Sequence, residues 1–242
     1  MSRNHLLDDK LLPIAEWQSF QRNHPQVFAD ADSEKTISHK FDMIYGAGYS
    51  LTGRRGYLDR HVPLIWKLKQ LGSSERLSVH IVKYPMRHEF VESACIRLLD
   101  LSYEEAHHLA VRAEWQLVTD DGFSWDDYEN QWVPFIKFDE VNDGRLPASE
   151  LRIPPDLDFT PYADDEPLLA KLQDAASRNL RRGLLQKDRR FSKKEVAYTP
   201  DHGSSSECCE ACFYQQSETV CRIVSGDITP DGWSRRFLKD LT

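Results

Sequence analysis

Residues 85–118 read PMRHEFVESACIRLLDLSYEEAHHLAVRAEWQLV and predict a pair of packed helices. Pro85 can open the first helix, because the amide that a proline lacks has no partner at that position. Ser102 and Glu105 form a capping-box pattern, so a second helix should begin at Ser102 and run to about Val118. The connecting turn is so short that the two helices must pack antiparallel.

Polar side chains of the two helices should meet inside this hairpin. His88 and Glu92 share one helical face because of their spacing of four residues. In an antiparallel pair, residues equally far from the turn at Leu101 lie opposite each other, which places His88 opposite Glu114. His107 lies on the same face of the second helix as Glu114. We therefore expect these four polar residues to form one cluster.

This cluster has two interpretations. A His-Glu-x-x-Glu segment with a further ligand from the next helix is a partial match to the zinc-peptidase pattern, with Glu92 in place of the second histidine. On that hypothesis Glu89 is the catalytic base, and the metal ligands are His88, Glu92, His107 and Glu114. On the other, the side chains form a hydrogen-bonded cluster that fixes the helix register.

Four of the five cysteines lie within fourteen residues near the end of the chain. Cys209 and Cys212 form a Cys-x-x-Cys pair, and Cys221 follows, a spacing typical of metal ligands. Three kinds of site fit this spacing. The cysteines could hold an iron–sulfur cluster, could bind zinc with His202 or water as a further ligand, or could be free thiols.

The order of these residues resembles that of the high-potential iron–sulfur proteins. The resemblance runs from Cys209 and Cys212 through Cys221 to the Gly-Trp pair at 232–233, and residues 194–198, KEVAY, are similar to the family's lead-in with its packing tyrosine. In that family four cysteine thiolates hold one four-iron, four-sulfur cluster, and the last thiolate directly follows Gly-Trp or Gly-Tyr. The resemblance implies such a cluster here.

The implied ligand set differs from the family's at its fourth position, which is Ser234. A serine alkoxide is a harder donor than a thiolate and should hold iron less stably, and Cys208 is the alternative fourth ligand. The implied ligands are Cys209, Cys212, Cys221 and Ser234. The aromatic residues expected to shield the cluster are Phe213, Tyr214, Trp233 and Phe237.

A second resemblance concerns the first half of the chain. Residues 57–135 resemble a group of uncharacterised phage and prophage proteins, through the segments 57–60, 88–92 and 103–107. This resemblance implies a phage-type setting, in the cytoplasm or in a virion, with particle components as protein partners. It implies no particular activity.

Composition bounds the possible partners. The chain has 242 residues, 40% of them hydrophobic, and a net charge of −8, which argues against a surface that binds nucleic acid as a whole. Eight lysines and arginines between Arg178 and Lys194 could still contact nucleic acid, or they could form a solvated helix end. We find no apolar run of signal-peptide or membrane-spanning length, so a cytoplasmic or virion location is expected.

The predicted fold class is α+β. A mixed body with the antiparallel helical hairpin and a few short strands should precede a small, loop-rich module that binds a metal or a cluster. Strands are expected at residues 41–45 and 57–60, joined by a long loop, and at residues 77–84, whereas residues 62–71 favour a short helix, with a strand as the alternative. The predicted divisions are an N-terminal arm (1–35), the body (36–138), a Pro/Asp-rich linker (139–166), a basic helix (167–194) and the iron–sulfur-like module (195–242).

Three functions are compatible with these patterns. The leading one is a cytoplasmic or virion-associated protein whose C-terminal iron–sulfur module has a structural or redox role. The second is a metal-dependent hydrolase that uses the His-Glu-x-x-Glu helix. The third is a structural particle component without chemistry.

Overall fold

A computed structural model describes residues 11–181, 191–194, 196–201, 207–234 and 237–241. The chain divides into two compact units, Met1–Pro147 and Ala148–Thr242, and the division falls inside the predicted linker. Groups of helices and a run of short strands in small sheets occur in separate parts of the chain, which confirms the predicted α+β class.

The first unit begins with two helices and five short strands and ends with the hairpin and two further helices. The helices are α1 (Ile14–Asn23), α2 (Pro25–Ala31), α3 (Lys83–Leu99), α4 (Tyr103–Asp120), α5 (Trp125–Trp132) and α6 (Phe138–Asn142). The strands are β1 (Thr36–Phe41), β2 (Ala47–Tyr49), β3 (Arg55–Asp59), β4 (Ile65–Lys69) and β5 (Arg76–His80).

Three of these strands form one sheet in the order β1-β3-β2. Strands β2 and β3 pair antiparallel, with Gly48 opposite Tyr57, and β1 lies parallel to β3. Two strands joined by a loop were expected here, but the first of them, β2, lies at Ala47–Tyr49 and not at residues 41–45. The sheet packs closely on α3 at Gly56, where an added Cβ would lie 2.3 Å from the Met86 sulfur. Glycine at this position therefore lets the strand approach the helix that carries His88.

Residues 62–71 contain a strand, so the favoured helix is wrong there. Strand β4 pairs antiparallel with β5. Trp66 and Leu68 are buried while Ile65 is exposed, an alternation of period two that suits a sheet with one covered face. Gly72, at φ +69°, belongs to the turn that joins the two strands and does not end a helix.

The helical hairpin has the predicted antiparallel form. Helix α3 begins at Lys83, two residues before the expected start, and accepts Pro85 in its first turn because amides there have no intrahelical partner. Asp100 ends it in the left-handed conformation, at φ 59°. Ser102 accepts a hydrogen bond from the Glu105 amide and completes the capping box that starts α4.

The core of the first unit lies between the hairpin and the remaining elements. Trp17 of α1 is buried, and its Nε1 donates to Gln116 Oε1 at 2.6 Å, which attaches the N-terminal helices to α4. Apolar and aromatic members of this core include Trp17, Leu58, Trp66, Leu68, Ile81, Tyr84, Met86, Phe90, Val91 and Tyr128.

Beyond one helix, the described residues of the second unit form little regular structure. It contains α7 (Glu166–Arg181), β6 (Gln215–Ser217) and β7 (Val220–Cys221). Buried side chains of the predicted linker, among them Ile153 and Phe159, contribute to its interior. Of the predicted basic segment, residues 182–190 lie outside the described residues, and so does His202.

Candidate metal centre

The side chains of His88, Glu92 and His107 converge between α3 and α4. Glu92 Oε2 lies 2.9 Å from His107 Nδ1 and 3.4 Å from His88 Nε2, and the two histidine nitrogens are 3.2 Å apart. One nitrogen or oxygen atom from each residue lies within 4.8 Å of the other two. The spacing of four on α3 and the antiparallel return of α4 produce this geometry, as the sequence predicts.

Glu114 joins the cluster from the other side of the His88 ring. His88 Nδ1 donates to Glu114 Oε2 at 3.1 Å, and the Tyr128 hydroxyl of α5 donates to Glu114 Oε1. Glu114 therefore faces His88, as expected, but it lies outside the three-residue ligand group. The sequence did not indicate Tyr128, because no spacing rule links α5 to the hairpin.

The cluster is shielded from solvent without being sealed. The Glu92 side chain is 3% exposed, whereas the His88 and His107 side chains are 13% and 14% exposed. A small ion or a water molecule can therefore reach the imidazole edges.

The hydrogen bonds of the cluster decide its charge state when no metal is bound. Burial alone would raise the pKa of Glu92, but its hydrogen bonds to His107 and His88 outweigh burial and lower the pKa to about 2. Burial opposes the charged form of His88 as well, yet its hydrogen bonds to Glu114 and Glu92 raise the His88 pKa well above the usual range. An ionised Glu92 thus faces a protonated His88. The proton on Nε2 of His88 occupies the position that a metal ion would take.

Glu89 is half-buried beside the cluster. Burial raises the pKa of its carboxyl well above the usual range; the charge of His88 lowers it, and the charges of Glu92 and Glu114 raise it further. The Glu89 carboxyl is therefore within electrostatic range of these three residues. A carboxylate with a raised pKa is suited to accept a proton near neutral pH.

A second group of acidic residues and histidine lies at the end of β3, and the sequence analysis missed it. It consists of Asp42, Asp59 and His61. The ammonium group of Lys137 already lies among them, 3.1 Å from Asp42 Oδ1 and 3.1 Å from His61 Nδ1, and it also bonds Asp59. Because a lysine supplies the positive charge, this group joins the segment before α6 to the strands and has no need of a metal.

The C-terminal residues expected to hold a cluster line one cavity. Cys209, Cys212, Cys221 and Ser234 border a cavity of about 10 Å³, roughly the space that one water molecule occupies. The other lining residues are Tyr198, Tyr214, Gln215, Ile223, Val224, Ile228 and Phe237. Two of the four expected shielding aromatics, Tyr214 and Phe237, are thus at the cavity, whereas Phe213 packs on Phe159 with ring centroids 5.6 Å apart.

Backbone contacts hold Ser234 beside the cysteines. Thr199 and Trp233 exchange two backbone hydrogen bonds of 2.9 Å, and the Cys209 amide donates to the Gly232 carbonyl at 2.6 Å. A Cβ on Gly232 would lie 2.3 Å from the Tyr198 hydroxyl oxygen, so glycine is required for this approach. Cys208 is buried but does not line the cavity.

None of the five cysteines forms a disulfide bond. Burial, followed by the neighbouring thiols of Cys212, Cys221 and Cys208, raises the pKa of Cys209 to about 12. Burial likewise raises the pKa of Cys212. Both thiols are protonated at neutral pH in the absence of a metal, and ligation would have to release their protons.

Comparisons with family models, with curated proteins and with solved structures give no match for this chain. Among the described residues, no helix is both long enough and apolar enough to cross a membrane.

Proposed function

We propose that the α3–α4 hairpin binds one divalent transition-metal ion and that the protein is a metal-dependent hydrolase. The ligands are His88 through Nε2, His107 through Nδ1 and Glu92 through a carboxylate oxygen. The observation that carries this proposal is the convergence of these three atoms at mutual distances of 2.9–3.4 Å.

These distances suit a metal ion. Around a tetrahedral zinc with nitrogen and oxygen ligands at about 2.0–2.1 Å, neighbouring ligand atoms lie about 3.3 Å apart. The three atoms therefore already occupy three corners of such a site with little rearrangement. Two histidines and one glutamate also form the ligand set of several catalytic zinc sites, which keep the fourth position open for water or substrate.

The surrounding residues supply the remaining chemistry of a hydrolase. A bound zinc ion would act as a Lewis acid and lower the pKa of water in its open position. Ionised Glu89 would accept a proton from the attacking water and pass it to the leaving group, so that its carboxylate is regenerated in each cycle. The partial exposure of His88 and His107 leaves the mouth of the site on the solvent side.

Metal analysis of matched variants tests the binding step. We expect the purified protein to take up one equivalent of zinc and the His107→Ala variant to lose it. The His108→Ala variant is the control, because His108 is the next residue on α4 and its Nδ1 lies 2.8 Å from the backbone carbonyl of Glu104, one turn earlier in the same helix. Wild-type protein that takes up no stoichiometric metal, or equal uptake by both variants, would refute the proposal.

The catalytic step has a separate test. The Glu89→Gln variant should keep its zinc and lose about 10²–10⁴ of the hydrolysis rate, because general acid–base catalysis contributes roughly that much. The probes are p-nitrophenyl acetate, bis(p-nitrophenyl) phosphate and fluorescein-labelled casein. Turnover of any of them that depends on zinc and survives the substitution would exclude Glu89 as the base. If zinc-loaded wild-type protein hydrolyses none of the three, the metal site stands without evidence of catalysis.

A second candidate function concerns the C-terminal unit, which we propose to be an iron–sulfur-type module with a structural or redox role. The supporting observation is that Cys209, Cys212, Cys221 and Ser234 line one small cavity. A single zinc ion would draw its sulfur ligands to about 3.8 Å from one another. Among the described residues, the three-ligand groups within 4.8 Å are the two that contain histidine and carboxylates, so the three sulfurs are spaced more widely than one zinc ion requires. This spacing suits a larger group, and the cavity would have to widen to admit it.

Iron and sulfide analysis after anaerobic reconstitution tests this second proposal. We expect brown protein with about four irons per chain, as a four-iron cluster requires. The Cys221→Ser variant should lose the colour, whereas the Cys208→Ser variant should keep it, because Cys208 lies outside the cavity lining. Ser234→Cys should bind the cluster more stably. Colourless wild-type protein after reconstitution, or equal loss in both cysteine variants, would contradict the proposal.

A further inference from the structure

We propose that Glu114 and Tyr128 are positioning residues that set the tautomer and the orientation of His88 for metal binding. This inference rests on the metal-binding role proposed above. The Glu114 carboxylate accepts a hydrogen bond from Nδ1 of His88, and a hydrogen bond from Tyr128 holds that carboxylate in place.

The two nitrogens of His88 face different partners. Nδ1 lies 3.1 Å from Glu114 Oε2, whereas Nε2 lies 3.2 Å from His107 Nδ1 and 3.4 Å from Glu92 Oε2. A neutral imidazole carries one hydrogen, so an acceptor at Nδ1 leaves the lone pair on Nε2, facing the other ligands. A metal-bound histidine that donates its other ring hydrogen to a carboxylate is a more basic and better oriented ligand.

Tyr128 restricts the movement of Glu114. Its hydroxyl donates to Glu114 Oε1, so the two carboxylate oxygens have one partner each, His88 and Tyr128. The Tyr128 ring is fully buried and packs on Tyr84 and Trp66, with ring centroids 5.5 and 5.7 Å apart. Because the Tyr128 ring is confined in this way, its hydroxyl holds the Glu114 carboxylate in one orientation. The hydrogen bond from His88 to Glu114 then restricts the orientation of the imidazole.

This arrangement also divides the glutamates of the cluster by role. Glu92 faces the ligand group on the Nε2 side of His88, and Glu114 lies on the Nδ1 side. The imidazole ring of His88 lies between the two glutamates. An ion bound to Nε2 of His88 can therefore contact Glu92 and cannot contact Glu114. Glu114, one of the four ligands expected from the sequence, therefore acts through His88.

The test compares two buried tyrosines in one aromatic cluster. Tyr128→Phe removes the hydroxyl that holds Glu114, whereas Tyr84→Phe removes a hydroxyl that donates to Asp121 Oδ2 at 2.6 Å. We expect Tyr128→Phe and Glu114→Gln to weaken zinc binding about 10–100-fold, as loss of an outer partner of a ligating histidine does. Tyr84→Phe should bind zinc as the wild type does. Competition with a chromophoric chelator measures all four affinities.

A measurement on the wild-type protein makes the test independent of variant folding. In ¹⁵N NMR spectra of the zinc-loaded protein, we expect His88 to carry its hydrogen on Nδ1 and to bind zinc through Nε2. A hydrogen on Nε2, or equal zinc affinity in the Tyr128→Phe and Tyr84→Phe variants, overturns the positioning role while zinc binding stands. Failure of the wild type to bind zinc refutes the proposed function and the positioning role together.

Discussion

Among single residues, His88 connects the most partners in the candidate centre. Its Nδ1 contacts Glu114, and its Nε2 faces Glu92 and His107. Hydrogen bonds from His88 to the two glutamates stabilise its protonated imidazole when no metal is present. The contacts that orient His88 as a metal ligand therefore also stabilise the metal-free protein. Metal binding must displace that proton, which links affinity for the ion to pH.

The pKa shifts of Glu92 and His88 predict how the metal-free protein responds to pH. The pKa of Glu92 is lowered to about 2, so its contribution is present above its unfolded value, about 4.3, and is lost as pH falls toward 2. The pKa of His88 is raised, so its contribution is present below about 6.5 and is lost as pH rises through the folded value. The network should therefore stabilise the fold most between about pH 4.3 and 6.5.

Urea unfolding with a chelator present checks this window. The difference in the free energy of unfolding between wild type and His88→Asn should be largest near pH 5–6 and should shrink on both sides, following the approximate unfolded-state pKa values. A difference that stays constant from acidic to alkaline pH would show that these ionisations do not contribute.

At the scale of elements, the start of α4 determines where His107 lies relative to α3. The capping box at Ser102 supplies an acceptor for the Glu105 amide and fixes the residue at which the helix begins. His107 follows in the second turn of that helix, so the position of its ring depends on a local signal five residues earlier.

Loss of the capping box should destabilise the hairpin. Ser102→Ala is expected to lower the free energy of unfolding by about 1 kcal/mol, because alanine offers no acceptor to the first amides of α4. Ser102→Thr keeps a hydroxyl acceptor and is the matched control, with a smaller loss. Equal unfolding midpoints for the alanine variant and the wild type would mean that the cap does not stabilise α4.

The close approach of β3 to α3 gives a second prediction at this scale. Gly56→Ala should cost about 1–3 kcal/mol, because its Cβ would lie 2.3 Å from the Met86 sulfur and 2.9 Å from Phe90 Cζ. Met86→Ala in the same chain should relieve part of the clash, so that the double variant loses less stability than the sum of the single losses. Additive losses in denaturant titrations would exclude direct contact as the cause.

Across the whole molecule, the candidate sites of the two units differ in ligand chemistry. The first offers imidazole and carboxylate, which suit zinc and other borderline ions, and the second offers thiols around a cavity, which suit iron–sulfur chemistry. If both proposals hold, His107→Ala removes zinc and leaves iron in place, and Cys221→Ser has the opposite effect. Metal analysis of the two variants separates the sites without reference to activity.

The sequence was most informative where the signals are local. Helix capping, a spacing of four residues and a short turn bring His88, Glu92, His107 and Glu114 together, and these signals are visible in one stretch of chain. A helix was wrongly favoured where the strand Ile65–Lys69 lies, because a proline before a segment and a glycine after it also suit a strand that ends in a turn.

Contacts between distant parts of the chain could not be predicted. Lys137 lies 78 residues after Asp59, and Tyr128 reaches Glu114 from a different helix, so neither contact follows from periodicity. The iron–sulfur and phage-type resemblances stay predictions, since no comparison with known proteins bears on either.

X-ray absorption at the zinc edge of the metal-loaded wild-type protein tests the hairpin centre most directly. The site at His88, Glu92 and His107 predicts a first shell of nitrogen and oxygen alone, at about 2.0–2.1 Å, with outer-shell scattering from two imidazole rings. The His107→Ala variant should lose this signal, and the His108→Ala variant should keep it. A first shell that contains sulfur at about 2.3 Å, or a spectrum unchanged by His107→Ala, would place the zinc at the cysteines and contradict the account.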